Sequence, residues 1–184
     1  EASYIETNVQ GAWNVLEAAA AAGVAHLVVA SSSATYGIGR QWPSDYLPVD
    51  EAHPLRPRGA YGLAKEMIER MARLFAREGG FTCVCLRPTL IVRPEREAAF
   101  RAQLALPDPD AASPEGFVDG DGVRPYGALS PTRIYVRSRD AARAFRLDLD
   151  YEARAFDVFN IAAGDSIGGD SIGPGHHGLD SPLA

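Results

Sequence analysis

The chain has 184 residues and a formal net charge of −6, with 46% hydrophobic and 23% charged residues. This length allows one sizeable core, and the balance is typical of a soluble globular protein. Because the arginines are scattered and no apolar run is long enough for a membrane span, we expect neither a nucleic-acid nor a membrane partner.

The first predicted elements are a helix and a buried strand. Residues 7–22 carry an apolar stripe at helical spacing and many alanines, and Gly23 is expected to end this helix. Residues 27–30 are apolar throughout, as in a strand that is covered on both faces. Residues 31–33 are serines and directly follow this strand. Residues 37–58 are rich in proline, glycine and aspartate, which predicts a long surface loop.

A second helix and a second strand follow. The helix is predicted over residues 60–77, and the strand over residues 81–88. We expect long apolar side chains to form the buried stripe of this helix, namely Met67, Met71, Leu74 and Phe75. The strand contains Cys83 and Cys85, which we interpret as buried free thiols of a cytoplasmic protein. Helices that alternate with continuously apolar strands predict an α/β fold, a Rossmann-like doubly wound parallel sheet.

The last third of the chain is less regular. We predict a short helix over residues 96–106, a strand over 133–138 and a final strand over 156–164. Asp140 is expected to be the N-cap of the helix that follows the middle strand. Residues 165–184 consist mostly of glycine, serine, aspartate and histidine, which predicts a disordered tail.

A candidate site lies beyond the first predicted strand. Ligands of an open parallel sheet bind at the carboxyl ends of the strands, where the serines lie. Tyr61 and Lys65 are four residues apart and therefore share one face of the second helix. A free phenol has a pKa of about 10, and a nearby ammonium favours the phenolate, which can act as a base. Lys65 is also the one lysine among 18 basic residues, as expected where a compact ammonium is required.

Four motifs then occur in an order that is characteristic of one family. They are ASSSATYG, YGLAKE, LRP and YVRSRDAARAF. Together they resemble the extended short-chain dehydrogenase/reductases, the NAD-dependent epimerase/dehydratase group, over about residues 5–163. The resemblance implies a nicotinamide cofactor, NAD or NADP, and a small-molecule substrate.

The resemblance also implies roles for single residues. Tyr61 would be the catalytic acid or base, while Lys65 would hold the nicotinamide ribose and make the phenol more acidic. The backbone of Thr89, directly after LRP, would approach the nicotinamide. Metal ligands are not implied.

The substrate-binding positions are less sharply defined. An ungapped alignment back from Tyr36 makes Ser32 the catalytic serine, and Ser33 is the alternative if the loop is one residue shorter. Arg133 matches an arginine that grips the substrate diphosphate in nucleotide-sugar members. A surface arginine at a strand edge is an equally good interpretation of Arg133.

The sequence departs from the family in one major respect. It contains no G-x-x-G-x-x-G loop, which in the family binds the cofactor pyrophosphate. We therefore interpret the chain as an internal fragment that lacks the N-terminal loop. Residues 1–94 would be the C-terminal half of the dinucleotide-binding domain, residues 95–164 a partial substrate-binding region with late Rossmann elements, and residues 165–184 the tail.

The predicted function is an NAD(P)-dependent epimerase or dehydrogenase that acts on a secondary alcohol or carbonyl of a sugar nucleotide or related substrate. Ser33 and Ala34 stand where sugar dehydratases have an Asp-Glu pair, which disfavours elimination. Epimerases often carry an asparagine after the strand that ends in Leu-Arg, and this chain has none there. A reductase of a non-sugar carbonyl compound therefore remains an alternative function. The alternative from another class is a non-catalytic binding or scaffold protein. The methionine-rich second helix could pair with a second copy to form a homodimer.

Overall fold

The structure is a computed structural model that describes residues 4–39, 42–104, 135–152 and 155–162. The strands in these ranges are β1 His26–Ala30, β2 Thr82–Pro88, β3 Leu90–Val92, β4 Tyr135–Arg137 and β5 Phe156–Ile161. The α-helices are α1 Gly11–Ala21, α2 Gly59–Glu78, α3 Pro94–Leu104 and α4 Ser138–Asp148. A π-helical segment, Ile5–Gln10, leads into α1, and a 3-10 helix, Ser33–Tyr36, follows β1. Within the described ranges, no helix is both long and apolar enough to cross a bilayer.

The main sheet is parallel and has the strand order β1-β2-β5. Ala30 is in register with Leu86, and Pro88 with Ile161. Strands β3 and β4 form a separate parallel pair. Because all three strands of the main sheet run in the same direction, their carboxyl ends lie at one edge, which is the edge where a doubly wound sheet binds its ligand.

Strand β2 is covered on both faces, which explains why its residues 83–86 are all apolar. Since successive side chains of a strand point to opposite faces, Cys83 and Cys85 pack with Leu16 of α1 and with α2, whereas Val84 and Leu86 pack with α4. The prediction of a Rossmann-like doubly wound sheet is thus confirmed. Both cysteines are buried free thiols, as predicted.

The predicted buried stripe of α2 was wrong. The helix buries mainly small side chains and one isoleucine toward the sheet, namely Ala64, Ile68, Ala72 and Ala76. The four residues expected in this position, Met67, Met71, Leu74 and Phe75, are only half-buried. Small side chains let the helix backbone approach the strands closely, and the longer Met71 and Phe75 pack at the border of the core.

Asp140 is not the N-cap of α4. The helix begins at Ser138, its N-cap is Arg137, and no side chain caps it. Strand β4 turns directly into the helix, so Asp140 already lies within the first turn, where a carboxylate favours the helix dipole.

The remaining predicted elements of the last third are found, with shorter bounds for the strands. Helix α3 corresponds to the helix expected over residues 96–106, and β4 and β5 correspond to the two strands. The predicted tail, residues 165–184, lies outside the described residues.

Helix α1 ends as its sequence predicts. Gly23 has a φ of 67°, in the left-handed region, and its N–H donates to Ala20 O at 3.2 Å. The next N–H, of Val24, donates to Ala19 O at 3.0 Å. These two hydrogen bonds close the last turn and satisfy carbonyls that the helix would otherwise leave unpaired.

We predict opposite stability effects for two glycine-to-alanine changes in and after this helix. A methyl group would meet no atom within 4 Å at either Gly23 or Gly11. Gly23→Ala should lower the free energy of unfolding by about 1 kcal/mol, because alanine disfavours the left-handed conformation. Gly11→Ala should raise it by about 0.5 to 1 kcal/mol, since Gly11 is helical with a φ of −61°. Urea unfolding of both variants measures these free energies. If Gly23→Ala is as stable as the unchanged chain, the assigned helix end is wrong.

Candidate active site

The serines form a short turn at the carboxyl end of β1, and we call residues 31–36 the serine turn. Ser32 is extended, and its Oγ accepts a hydrogen bond from Ala34 N at 3.1 Å. Thr35 Oγ1 donates to Ser32 O at 2.8 Å. Ser32 and Ser33 are half-buried. Because Ser32 Oγ accepts within the turn, its own proton can still be donated to another oxygen.

Tyr61 and Lys65 lie in the first two turns of α2. Lys65 Nζ donates to Ala30 O at 2.8 Å and lies 5.8 Å from the centroid of the Tyr61 ring. Burial lowers the pKa of the Lys65 ammonium from its ordinary value. The Tyr61 ring is held edge-on against Tyr4, with centroids 5.7 Å apart. The ammonium is therefore fixed between the last residue of β1 and the phenol.

Gly62 brings the serine turn and the first turn of α2 into direct contact. A Cβ at this position would lie 2.8 Å from Ala34 O and 3.3 Å from Pro57 Cβ. Only a glycine leaves room for the carbonyl of the serine turn at that distance. The elements that carry Ser32 and Tyr61 are thus packed against each other.

Beneath these residues lies a buried ion pair between α2 and β2. Arg87 Nε and Nη2 donate to the two carboxylate oxygens of Glu69 at 2.8 and 2.6 Å. Ser31 Oγ donates to Glu69 Oε1. Arg87 Nη1 donates to the Tyr36 hydroxyl at 2.7 Å, and this hydroxyl donates to Asn160 Oδ1 at 2.8 Å. Burial raises the pKa of Tyr36, and the charge of Arg87 opposes part of that rise.

Sequence reasoning missed this network. Its signal was present, since Glu69 follows Lys65 by four residues and Arg87 stands in an otherwise apolar strand. A charge at each position requires a partner if the surrounding faces are buried. Ser31 carries no distinguishing signal in the sequence, because the next two residues are also serines.

The other predicted site residues have different surroundings. Thr89 follows β2, and its N–H donates to Ile161 O at 3.0 Å, so it lies where β2 and β5 end. Arg133 lies outside the described residues. Among the described residues, no group of three or more His, Cys, Asp or Glu side chains is arranged to hold a metal ion.

Comparison with known proteins identifies the family of the chain. Residues 1–162 match the NAD dependent epimerase/dehydratase family. The chain belongs to this family. In sequence, the UDP-glucose 4-epimerase of Corynebacterium glutamicum is 30% identical over 170 residues, which are 88% of this chain and 50% of that protein. The chain spans about half the length of the curated relatives it matches.

Two solved structures show the epimerase/dehydratase fold over nearly the same part of the chain. MoeE5 in complex with UDP-glucuronic acid and NAD is 27% identical, with a TM-score of 0.61 over 87% of this chain and 50% of that one. UDP-glucose 4-epimerase from Brucella ovis in complex with NAD is 25% identical, with a TM-score of 0.63 over 89% of this chain and 52% of that one.

We predict that Gly62→Ala separates the serine turn from α2 in this epimerase/dehydratase chain. The added methyl would clash with backbone atoms of Ala34, so the free energy of unfolding should fall by about 1 to 3 kcal/mol. Gly11→Ala is the matched control, because it adds the same methyl to a helix in open space. If urea unfolding shows equal stability for the two variants, the close contact between the turn and the helix is absent.

Proposed function

We propose that this chain carries the catalytic residues of a nicotinamide-dependent epimerase or dehydrogenase acting on a sugar nucleotide. One observation carries the proposal: the Lys65 ammonium is fixed to Ala30 O beside the Tyr61 ring. The Tyr61 hydroxyl has no hydrogen-bond partner among the described residues, so it is available to a substrate oxygen. Membership of the family supports the same reaction class.

In this proposal, Tyr61 exchanges a proton with the substrate. The phenolate of Tyr61 takes the proton of a secondary hydroxyl group and returns it when the carbonyl is reduced again. Ser32, or Ser33 beside it, donates a hydrogen bond to the same substrate oxygen and keeps it aligned with the phenol. The positive charge of Lys65 stabilises the phenolate during the exchange.

The residues present fit the nicotinamide end of a dinucleotide, NAD or NADP. An ammonium has three N–H donors, and Lys65 uses one of them on Ala30 O. The other two could bind ribose hydroxyls, and Thr89 lies at the same edge of the sheet. When bound, the nicotinamide supplies the acceptor and donor for the hydride of the substrate carbon.

The proposed substrate class rests on the relatives. The C. glutamicum relative is a UDP-glucose 4-epimerase, and the MoeE5 structure contains UDP-glucuronic acid. Arg133 could bind the diphosphate of such a substrate. A reductase of a non-sugar carbonyl compound is the second candidate. Epimerases often carry an asparagine after the strand that ends in Leu-Arg, and neither Thr89 nor its neighbours is an asparagine.

The first test replaces the phenol. Tyr61→Phe should lower kcat about 100- to 10,000-fold, because the proton exchange loses its acid and base, while the Kd for NAD stays within about twofold. The measurement is the formation of UDP-galactose from UDP-glucose with added NAD, on the chain joined to an N-terminal segment that carries the G-x-x-G-x-x-G loop. Tyr46→Phe is the matched control, since it removes the hydroxyl of an exposed tyrosine that binds Asp50. Near-normal turnover of Tyr61→Phe would exclude Tyr61 from the reaction.

The second test keeps the charge of Lys65 but changes its shape. Lys65→Arg should weaken NAD binding and lower kcat together, because a planar guanidinium cannot occupy the space of the compact ammonium at Ala30 O. Isothermal titration with NAD and the turnover assay measure the two effects. If both values are those of the unchanged chain, a positive charge alone is sufficient and the proposed role for the ammonium is wrong.

A further inference from the structure

Glu69 and Arg87 form the most deeply buried ion pair among the described residues, with exposures of 5% and 3%. A buried ion pair is weak evidence for stability, because taking both charges out of water costs about as much as their attraction returns. In the described part of the chain, the pair makes no hydrogen bond or ion pair with Tyr61 or Lys65. Its hydrogen bonds lead instead to the serine turn.

We propose that Glu69 and Arg87 are positioning residues that hold both ends of the serine turn against α2. At the first end, Ser31 donates to the Glu69 carboxylate, one residue before Ser32. At the second end, Arg87 donates to the hydroxyl of Tyr36, the last residue of the turn. The inference rests on the proposed function, because it concerns the alignment of the catalytic serine with the tyrosine.

Helix α2 fixes the register of this arrangement. Tyr61, Lys65 and Glu69 follow one another at intervals of four residues, so they lie on one face of the helix. Lys65 binds the carbonyl of Ala30, and Glu69 binds the hydroxyl of the next residue, Ser31. Two consecutive turns of the helix are therefore attached to two consecutive residues at the end of β1.

The shape of arginine is essential to this role. Arg87 directs Nε and Nη2 to Glu69 and the remaining Nη1 to Tyr36, so one rigid group bonds to both α2 and the turn. A lysine could neutralise Glu69, but its single ammonium does not present the same planar set of donors. The turn would then lose its attachment at Tyr36.

The test removes one hydroxyl at each end of the turn. Ser31→Ala and Tyr36→Phe delete these hydrogen bonds and preserve the ion pair, so both chains should fold. Tyr36→Phe also removes the hydrogen bond from Tyr36 to Asn160. Per folded molecule, we expect kcat for UDP-glucose with NAD to fall about ten- to a hundredfold, and KM to change less than about twofold. Tyr151→Phe is the control, because it removes a hydroxyl at the exposed contact with Asp157.

A second readout does not depend on turnover. With 13C at the ring Cζ of tyrosine, the Tyr61 resonance should shift in Ser31→Ala and in Tyr36→Phe but not in Tyr151→Phe. If the unchanged chain, joined to an N-terminal segment that carries the G-x-x-G-x-x-G loop, shows no turnover, the proposed function fails, and this resonance alone decides the positioning role. If kcat and the resonance match those of Tyr151→Phe, the positioning role is wrong.

Arg87→Lys separates charge from shape. We expect it to lower kcat as much as Tyr36→Phe does, because the attachment to Tyr36 is lost in both. If Arg87→Lys has the kcat of the unchanged chain, the positive charge alone is needed and the proposed role of the guanidinium shape is wrong.

Discussion

The hydrogen bond from Lys65 Nζ to Ala30 O joins α2 to the carboxyl end of β1. It places an ammonium at the edge where all three parallel strands end, and it sets the position of Tyr61 one turn earlier in the helix. The serine turn begins at the next residue, so this junction lies beside every other feature of the site. The contact at Gly62 and the Glu69–Arg87 pair then hold the turn against the same helix.

The site therefore consists of two layers with different chemistry. The upper layer contains groups with free hydrogen-bonding capacity, namely the Tyr61 hydroxyl and the hydroxyl protons of Ser32 and Ser33. The lower layer, Glu69, Arg87 and Tyr36, is buried, and its polar groups bond to one another, to Ser31 and to Asn160. Since a buried polar network is rigid when its members are paired, the lower layer can hold the upper one in a single geometry without taking part in the reaction.

Much of the fold could be predicted from the sequence because the sheet is covered on both faces. Continuous apolar strands such as residues 82–88, alternating with amphipathic helices, leave few alternatives to a parallel sheet. The buried face of α2 was harder to predict. Hydrophobicity alone favoured its methionines, whereas close packing on the sheet buries its alanines. Asp140 was wrongly predicted as the N-cap, because aspartate is favoured both at the N-cap and in the first turn of a helix. The Tyr61–Lys65 pair was visible as local spacing, but the Glu69–Arg87 network joins residues 18 positions apart and required the fold.

The most direct measurement of the central claim is a crystal structure of the chain with NAD and UDP-glucose. The account predicts that Tyr61 Oη and the Oγ of Ser32 or Ser33 both lie within about 2.6 to 3.2 Å of one substrate oxygen. A structure in which no single substrate oxygen can reach both the phenol and a serine hydroxyl would contradict it.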